Sequence, residues 1–515
     1  MKYATARRLK PRPINARAVS QSIPAPVGGW NARDALAEME PSDAVSLVNW
    51  FPSTTSVNLR KGYTYQSTAL NGTVQTLFAY TGGGTDKLFA ATSSGNIYNC
   101  TTSGVVGAAD VTGLSNGKWQ YVNIATPAGT YLWTCNGADS PYTYDGTTWA
   151  NPSISGVTGS QLIHVNLHKN RLWAIQTGTL KAWYLPVQSI SGTMSSLDLS
   201  SFCTRGGTLM AMATWTIDAG YGVDDLAVFI TSEGEVLIYR GTDPSSASTW
   251  ALVGVYWIGA PVGRRCFVKL AGDVLLICQD GVLPLSGALQ SSRVQPQVAL
   301  SYKIQNAVST AVTNYGSSYG WQLLPYPGNN MLILNVPVNT NAGQQQYVMN
   351  TITKSWCSFE GWPANCWELY QDLPYFGGNG FVAKAWNDTA DAGAAIDATA
   401  IQAFNYFGNR TQLKRWTMMR PIFNVDGVPT LYANINVDFD TADTGAALAA
   451  SAVSGGVWDT ATWDSSAWGG PSIMKNWQGV TGVGYCAAPL VKVAAMNFSV
   501  QWMSTDLVME TGGIL

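Results

Sequence analysis

Seven segments of this chain repeat one grammar: a short apolar strand, a tight turn, an alternating strand, a Gly/Asn/Asp turn and a second alternating strand. They are TLFAYTGGGTDKLFAATSSGNIYNC (76–100), WQYVNIATPAGTYLWTCNGADSPYTYDGTTW (119–149) and IHVNLHKNRLWAIQTGTLKAWYL (163–185). Then follow LAVFITSEGEVLIYRG (226–241), CFVKLAGDVLLICQDGVLPLSG (266–287), MLILNVPVNTNAGQQQYVMNTITKSW (331–356) and LYQDLPYFGGNGFVAKAW (369–386). Aligned on Leu88, Leu132, Leu172, Ala227, Leu275, Leu332 and Tyr375, the steps are 44, 40, 55, 48, 57 and 43 residues. One small antiparallel sheet cannot bury both of its faces, so sheets repeated at roughly 40–50 residues stack radially and close a ring. The spacing predicts a mostly β chain with a β-propeller of six or seven blades over 76–395. Unrelated β-meanders in a sandwich are the alternative, which the even spacing disfavours. Ser94-Gly95-Asn96, Asp145-Gly146, Glu233-Gly234, Asp280-Gly281 and Gly377-Gly378-Asn379-Gly380 supply hairpin residues that tolerate positive φ.

Composition agrees. Charged residues are 12 % of the chain, about half the usual quarter. A mainly helical protein would carry far more charge on its solvated faces. The grammar changes near residue 396, where FNYFGNRTQLKRWTMMRPIFNVDG (404–427), LYANINVDFDT (431–441), VWDTATWDSSAWGG (457–470) and strands around 488–510 read as a separate C-terminal β-rich platform over 396–515. Residues 34–75 precede the first repeat and are expected to pair with that platform.

The net charge of −2 hides an asymmetry. Residues 1–33 carry Lys2, Arg7, Arg8, Lys10, Arg12, Arg17 and Arg33 with no acid, leaving 22 basic against 31 acidic residues in the body. Pro11, Pro13, Pro24 and Pro26 break any helix there, and the stretch lacks the apolar run of a signal peptide. It reads as an extended basic arm, either a solvated tail or a strap on an acidic neighbour or on nucleic acid. No transmembrane helix is expected. The eight cysteines show no CxxC spacing and read as small buried hydrophobes of a chain folded in a reducing cytoplasm.

Chemistry is sparse. His164 and His168 are the two histidines, four apart on one strand face with no third metal ligand in view, so a structural role is expected. No GxSxG elbow, Walker loop, GxGxxG after a strand or HExxH occurs. Asp224-Asp225 and Asp438/Asp440 could pair carboxylates as in propeller glycosidases. Thr143-Tyr144-Asp145-Gly146-Thr147-Thr148-Trp149 approaches an Asp-box, itself a structural turn. The expectation is no enzyme, no catalytic residue, no cofactor and no metal. Most of the 21 Trp are expected to pin loops onto strands. Trp458, Trp463 and Trp468, spaced by five, fit neither a helix face nor a strand face and stand out as partner contacts.

Four stretches carry a resemblance: GGWNARDALAEMEPSDAVSLVNWFPSTTSVNLRKGY (28–63), YRGTDPSSASTWALVGVYWIGAPVGRR (239–265) followed by GDVLLICQDGVLPLSGAL, LKRWTMMRPIF (413–423) and WDTATWDSSAW (458–468). Together they resemble the tail nozzle (tail tubular or tail hub) proteins of short-tailed bacteriophages. The resemblance implies a structural virion protein, a propeller joined to a β-rich platform. It would assemble in the host cytoplasm as a hexameric tube below the head-to-tail adaptor, conduct viral double-stranded DNA and anchor tail fibres or spikes. An acidic lumen would let DNA slide, since few Lys and Arg contacts mean little counterion release. Lys2, Arg7, Arg8, Lys10, Arg12 and Arg17 would then engage the adaptor or an adjacent subunit. A receptor-binding or carbohydrate-binding propeller of a tail fibre is the second reading, and a propeller glycosidase the third.

Overall fold

Simple alternation does not account for the second strand of each repeat. Lys87–Thr92, Arg171–Gln176 and Asp273–Cys278 are buried at nearly every position, as strands with a neighbour on both faces must be. A computed structural model, which describes residues 18–218, 223–288, 296–339, 343–445 and 472–514, shows what those neighbours are. The repeats form seven antiparallel blades of a β-propeller, and each blade packs its two faces on the blades beside it.

Period two makes this visible in single strands. In the fourth blade (Leu209–Asp218, Val223–Thr231, Glu235–Gly241, Trp250–Trp257) Ala227 and Phe229 face the third blade, beside Trp173 and Tyr184. Val228 and Ile230 face the fifth, beside Val274 and Leu276. In the fifth blade Leu275 and Ile277 turn on to the sixth, beside Leu332 and Leu334. Six of the seven junctions have their own apolar cluster, the last closing the ring where Leu77, Ala79 and Leu88 meet Tyr370 and Tyr375, while the junction of blades six and seven runs on into the platform core.

Closure depends on one strand. Gly62–Tyr80 pairs over 62–73 with Asn379–Asp388 as the outer strand of blade seven. It then bends at Ala69 and Gly72, both at positive φ, and pairs over 74–80 with Lys87–Thr92 as the inner strand of blade one. The boundary drawn at residue 75 thus falls inside a single strand. Blade five has only three strands, and the helix Gln305–Tyr315 seals its open side with Val308 and Ala311.

The platform is two packed sheets. One continues blade six: Trp356–Phe359 is followed by Asp43–Val48, Ile396–Gln402, Ala487–Ala495 and Thr430–Val437. The other carries Gln412–Val425 and Val500–Ile514 at its centre. Ser472–Met474 and Gln478–Gly484 lie on one side of that pair, Ala18–Pro24, Val57–Leu59 and Trp50–Pro52 on the other. Trp416, Phe423, Val491 and Trp502 fill the space between the sheets. Residues 43–59 therefore belong to the platform while 62–73 belong to the propeller. No helix among the described residues is long and apolar enough to cross a membrane.

Candidate functional site

Of the four stretches that carry the resemblance, residues 28–63 lie at the joint between propeller and platform, 239–265 runs through blade four, 413–423 lies inside the platform, and 458–468 lies outside the described residues. Asn49 of NWFP sits at φ 60° and Arg60 of LRKGY is buried beside it. Arg60 Nε donates to Asn49 Oδ1 at 2.8 Å, and its other nitrogens bind both Asp391 carboxylate oxygens (2.8 and 2.5 Å) and the Glu360 carbonyl (2.6 Å). Its guanidinium also lies over Trp362, 5.0 Å from the ring centre. Asn49 donates to the Asp397 carbonyl and accepts from the Glu360 amide, so one node ties blade six to the next platform strand. A Cβ on Gly62 would overlap the Ala390 carbonyl, which fixes the glycine of the same motif.

The Asn-Asp element and the Pro-Ser-Asp-Ala turn form a second node. Asn31 Nδ2 donates to Asp34 (2.9 Å) and Asp43 (2.8 Å), while Lys303 Nζ binds Asp43 (2.5 Å) and the Gly28 carbonyl (2.8 Å). In LKRWTMMRPIF, Lys414 is buried on three carbonyls, and Arg420 pairs with Asp506 under Trp477.

The residues weighed for chemistry separate. His164 and His168 lie on one strand, Leu162–His168, and burial pushes both imidazoles down to about 4. His168 closes the strand, and the turn falls on Lys169 and Asn170, both at positive φ. Asp225 accepts from Thr216 and pairs with Lys169 at 3.2 Å, and the Asp224 side chain lies outside the described residues. Asp438 accepts from the Tyr485 and Cys486 amides, and Asp440 from that of Ala442. Asp145 accepts from the Thr147 and Thr148 amides, which hold its carboxyl well below the usual range, as in a structural turn. All eight cysteines are free, and seven are buried. Lys2, Arg7, Arg8, Lys10, Arg12, Arg17, Trp458, Trp463 and Trp468 lie outside the described residues.

Two surfaces were not legible in the sequence. The first is an axial cavity of about 390 Å³ lined by six of the seven blades. Arg265 stitches its wall, donating to Gln322 Oε1 (3.1 Å), Thr76 Oγ1 (2.6 Å) and the Trp119 carbonyl (3.2 Å). Glu368 is half-buried there, accepts from the Leu369 amide, and loss of solvent raises its carboxyl to about 7. The second is the platform's outer edge. Along Gln412–Val425 and its edge neighbours, Met418, Ile473 (60 % exposed), Trp477, Val483 (52 %) and Tyr485 are exposed among the described residues, interleaved with Arg415 and Arg420.

No protein family and no curated protein matches the chain. Several solved structures, two of them β-propeller domains, match part of the chain. The β-propeller domain of Cps50 (Swd1) from Myceliophteria thermophila is 14 % identical, covering 62 % of this chain and 98 % of that one at a TM-score of 0.41. The WD40 propeller domain of Doa1 is 8 % identical, covering 63 % and 96 % at 0.38. BBS1N, crystallised with ARL6DN, is 12 % identical, covering 65 % and 99 % at 0.40.

Proposed function

We propose that this chain is the subunit of a hexameric tail nozzle of a short-tailed bacteriophage, a structural virion protein without catalytic turnover. It would sit below the head-to-tail adaptor, pass viral DNA through its central channel and anchor fibres or spikes. The observation that carries the assembly is the exposure of Met418, Ile473, Trp477, Val483 and Tyr485. A propeller hides its own strand edges by closing, so joining surfaces fall to the platform. Exposed apolar side chains clustered along one sheet edge mark a protein contact. Charged residues of the resembling stretches support the same reading, because Arg60, Asp43 (bound by Lys303) and Lys414 are spent on internal joints and not on a cleft. Residues 18–33 are folded into this subunit's own platform, so the strap to the adaptor or to an adjacent subunit is the basic stretch before them, with Lys2, Arg7, Arg8, Lys10, Arg12 and Arg17.

Light scattering on the full chain, with negative-stain imaging, tests this. The expected result is six copies in a ring with a DNA-wide channel. A single-copy mass at concentrations well above those of the particle would overturn it.

A further inference from the structure

The outer platform sheet is open at both edges, and the two edges match. Across it run Gln478–Gly484, Gln412–Val425, Val500–Ile514 and Ala18–Pro24, each antiparallel to the next. Ala18–Pro24 therefore runs opposite to Gln478–Gly484. The pairing also sets both edges at one height. Ala18 lies in a row with Glu510, Arg415 and Val483, and Ser20 in a row with Val508, Met418 and Gly479. Each edge strand is seven residues long and is paired on one side only among the described residues. Open edges invite pairing with other chains, and proteins usually blunt them with charged side chains. Neither edge carries a charge: the strands read AVSQSIP and QGVTGVG. Val19 and Val483 stand exposed on them.

We propose that the Ala18–Pro24 edge of one copy pairs antiparallel with the Gln478–Gly484 edge of the next, so that one sheet runs unbroken around the ring. The pairing rests on the ring proposed above and supplies its contact. A contact between two different edges is head-to-tail, as a closed ring of more than two identical subunits requires. Rotation about an axis along the strands preserves their direction and height, so the sheet meets its own copy ready for an antiparallel ladder. Two-fold pairing of Gln478–Gly484 with itself would close a dimer and leave Ala18–Pro24 open. Charge favours the head-to-tail pair. It sets Ala18 beside the neighbour's Val483, and the exposed Asp438 and Asp440 lie near that end, where Asp438 accepts from the Tyr485 amide. Lys2, Arg7, Arg8, Lys10, Arg12 and Arg17 precede Ala18 with no acid among them, so the basic stretch starts from the neighbour's acidic bend.

Disulfide trapping in the full chain tests the contact. Ser20→Cys is combined in turn with Gly479→Cys, Thr481→Cys and Val483→Cys, all exposed positions. A Cβ on Gly479 meets nothing within 4 Å. Within one copy the two edges are three strand spacings apart, about 14 Å, too far for an internal disulfide. Any bond therefore joins two copies. Mild oxidation should turn at least one combination into a covalent ladder of up to six copies, absent from the single variants and from the parent with its seven buried thiols. An intact ring trapped by none of the three overturns the edge pairing and leaves the ring standing. A covalent dimer of a single variant at 479, 481 or 483 overturns it in favour of two-fold pairing. A single-copy mass for the parent overturns ring and pairing together.

Discussion

Propeller and platform solve the problem of strand edges in opposite ways. The propeller turns each blade's two faces on its neighbours and shuts the circle with a strand from upstream, Gly62–Tyr80, shared by the last blade and the first. Its scattered exposed apolar side chains, such as Val105 and Val187, lie on different blades. The platform is open. Its outer sheet ends on Gln478–Gly484, and its exposed apolar residues run together along that edge. In one chain of low overall charge, closure and exposure therefore divide by region. The closed part covers its own strand faces, and the open part leaves apolar side chains exposed along its outer sheet.

The comparison breaks first at the joint. Arg60→Ala would leave Asp391 buried without its partner, and loss of one member of a buried pair costs about 3–5 kcal/mol. Urea unfolding should show the upper end of that range, with the single transition split in two as platform and propeller uncouple. Unchanged cooperativity would mean that the shared sheet of blade six alone joins the regions. Next comes a blade junction. Phe229 is fully buried against Trp173 and Tyr239, so Phe229→Ala should cost about 4 kcal/mol. A loss nearer 1 kcal/mol would show that the ring tolerates a gap at one junction.

How far the sequence reveals this division depends on the range of each interaction. All seven repeats contain blade strands, because hairpins announce themselves by turn residues and by period two. Tryptophan was readable only in part: among the described residues ten of the twelve largest fully buried side chains are Trp, but most of them, Trp173 and Trp502 included, stand within strands and fill the core instead of pinning loops. What pairs at long range was not readable. Arg60 and Asp391 are 331 positions apart, and nothing near either names the other. The double duty of Gly62–Tyr80 was hidden too, since Asn71-Gly72 within the run reads as a hairpin turn and not as the point where one strand passes between two blades. The helix Gln305–Tyr315 falls in a gap of the repeat where only its length hints at an insertion. For the same reason the platform cannot be removed by cutting at residue 396, because residues 43–59 are woven into it. The axial cavity gave no local signal, as its polar residues come one or two per blade.

A smaller effect separates the propeller axis from the rest of the molecule. Glu368 titrates near 7 in the fold against an ordinary 4.5, so the folded state holds the extra proton between those values. Its contribution to stability falls as pH rises through that window, by about 3 kcal/mol at 1.36 kcal/mol per unit. His164 and His168 act in the opposite sense. Burial lowers both to about 4 from 6.5, so the unfolded chain takes up protons first and stability is lost as pH falls below 6.5. Between pH 4.5 and 6.5 the two histidines outweigh the one carboxyl, and stability should rise with pH. Glu368→Gln should steepen that rise and make the protein more stable than the parent above pH 7. Urea midpoints across this pH range decide it, and equal slopes would place the Glu368 carboxyl in water.

The smallest effect on stability should have the largest consequence for assembly. Ile473 and Val483 are more than half exposed on the platform's outer edge, so Ile473→Glu with Val483→Glu removes little buried area. The folded subunit should lose no more than about 0.5 kcal/mol, the ordinary range for surface changes. In an assembled ring the same two positions would be covered, and two buried carboxylates without partners are not tolerated at the centre of an interface. The double variant should therefore run as a single copy in light scattering, with the unfolding curve of the parent subunit. Val187→Glu, equally exposed but on a propeller blade, should leave the ring intact. If the double variant still assembles while Val187→Glu does not, the joining surface lies on the propeller. The platform edge would then be left for a fibre or the adaptor, and the contrast between closed and open regions would no longer predict where subunits meet.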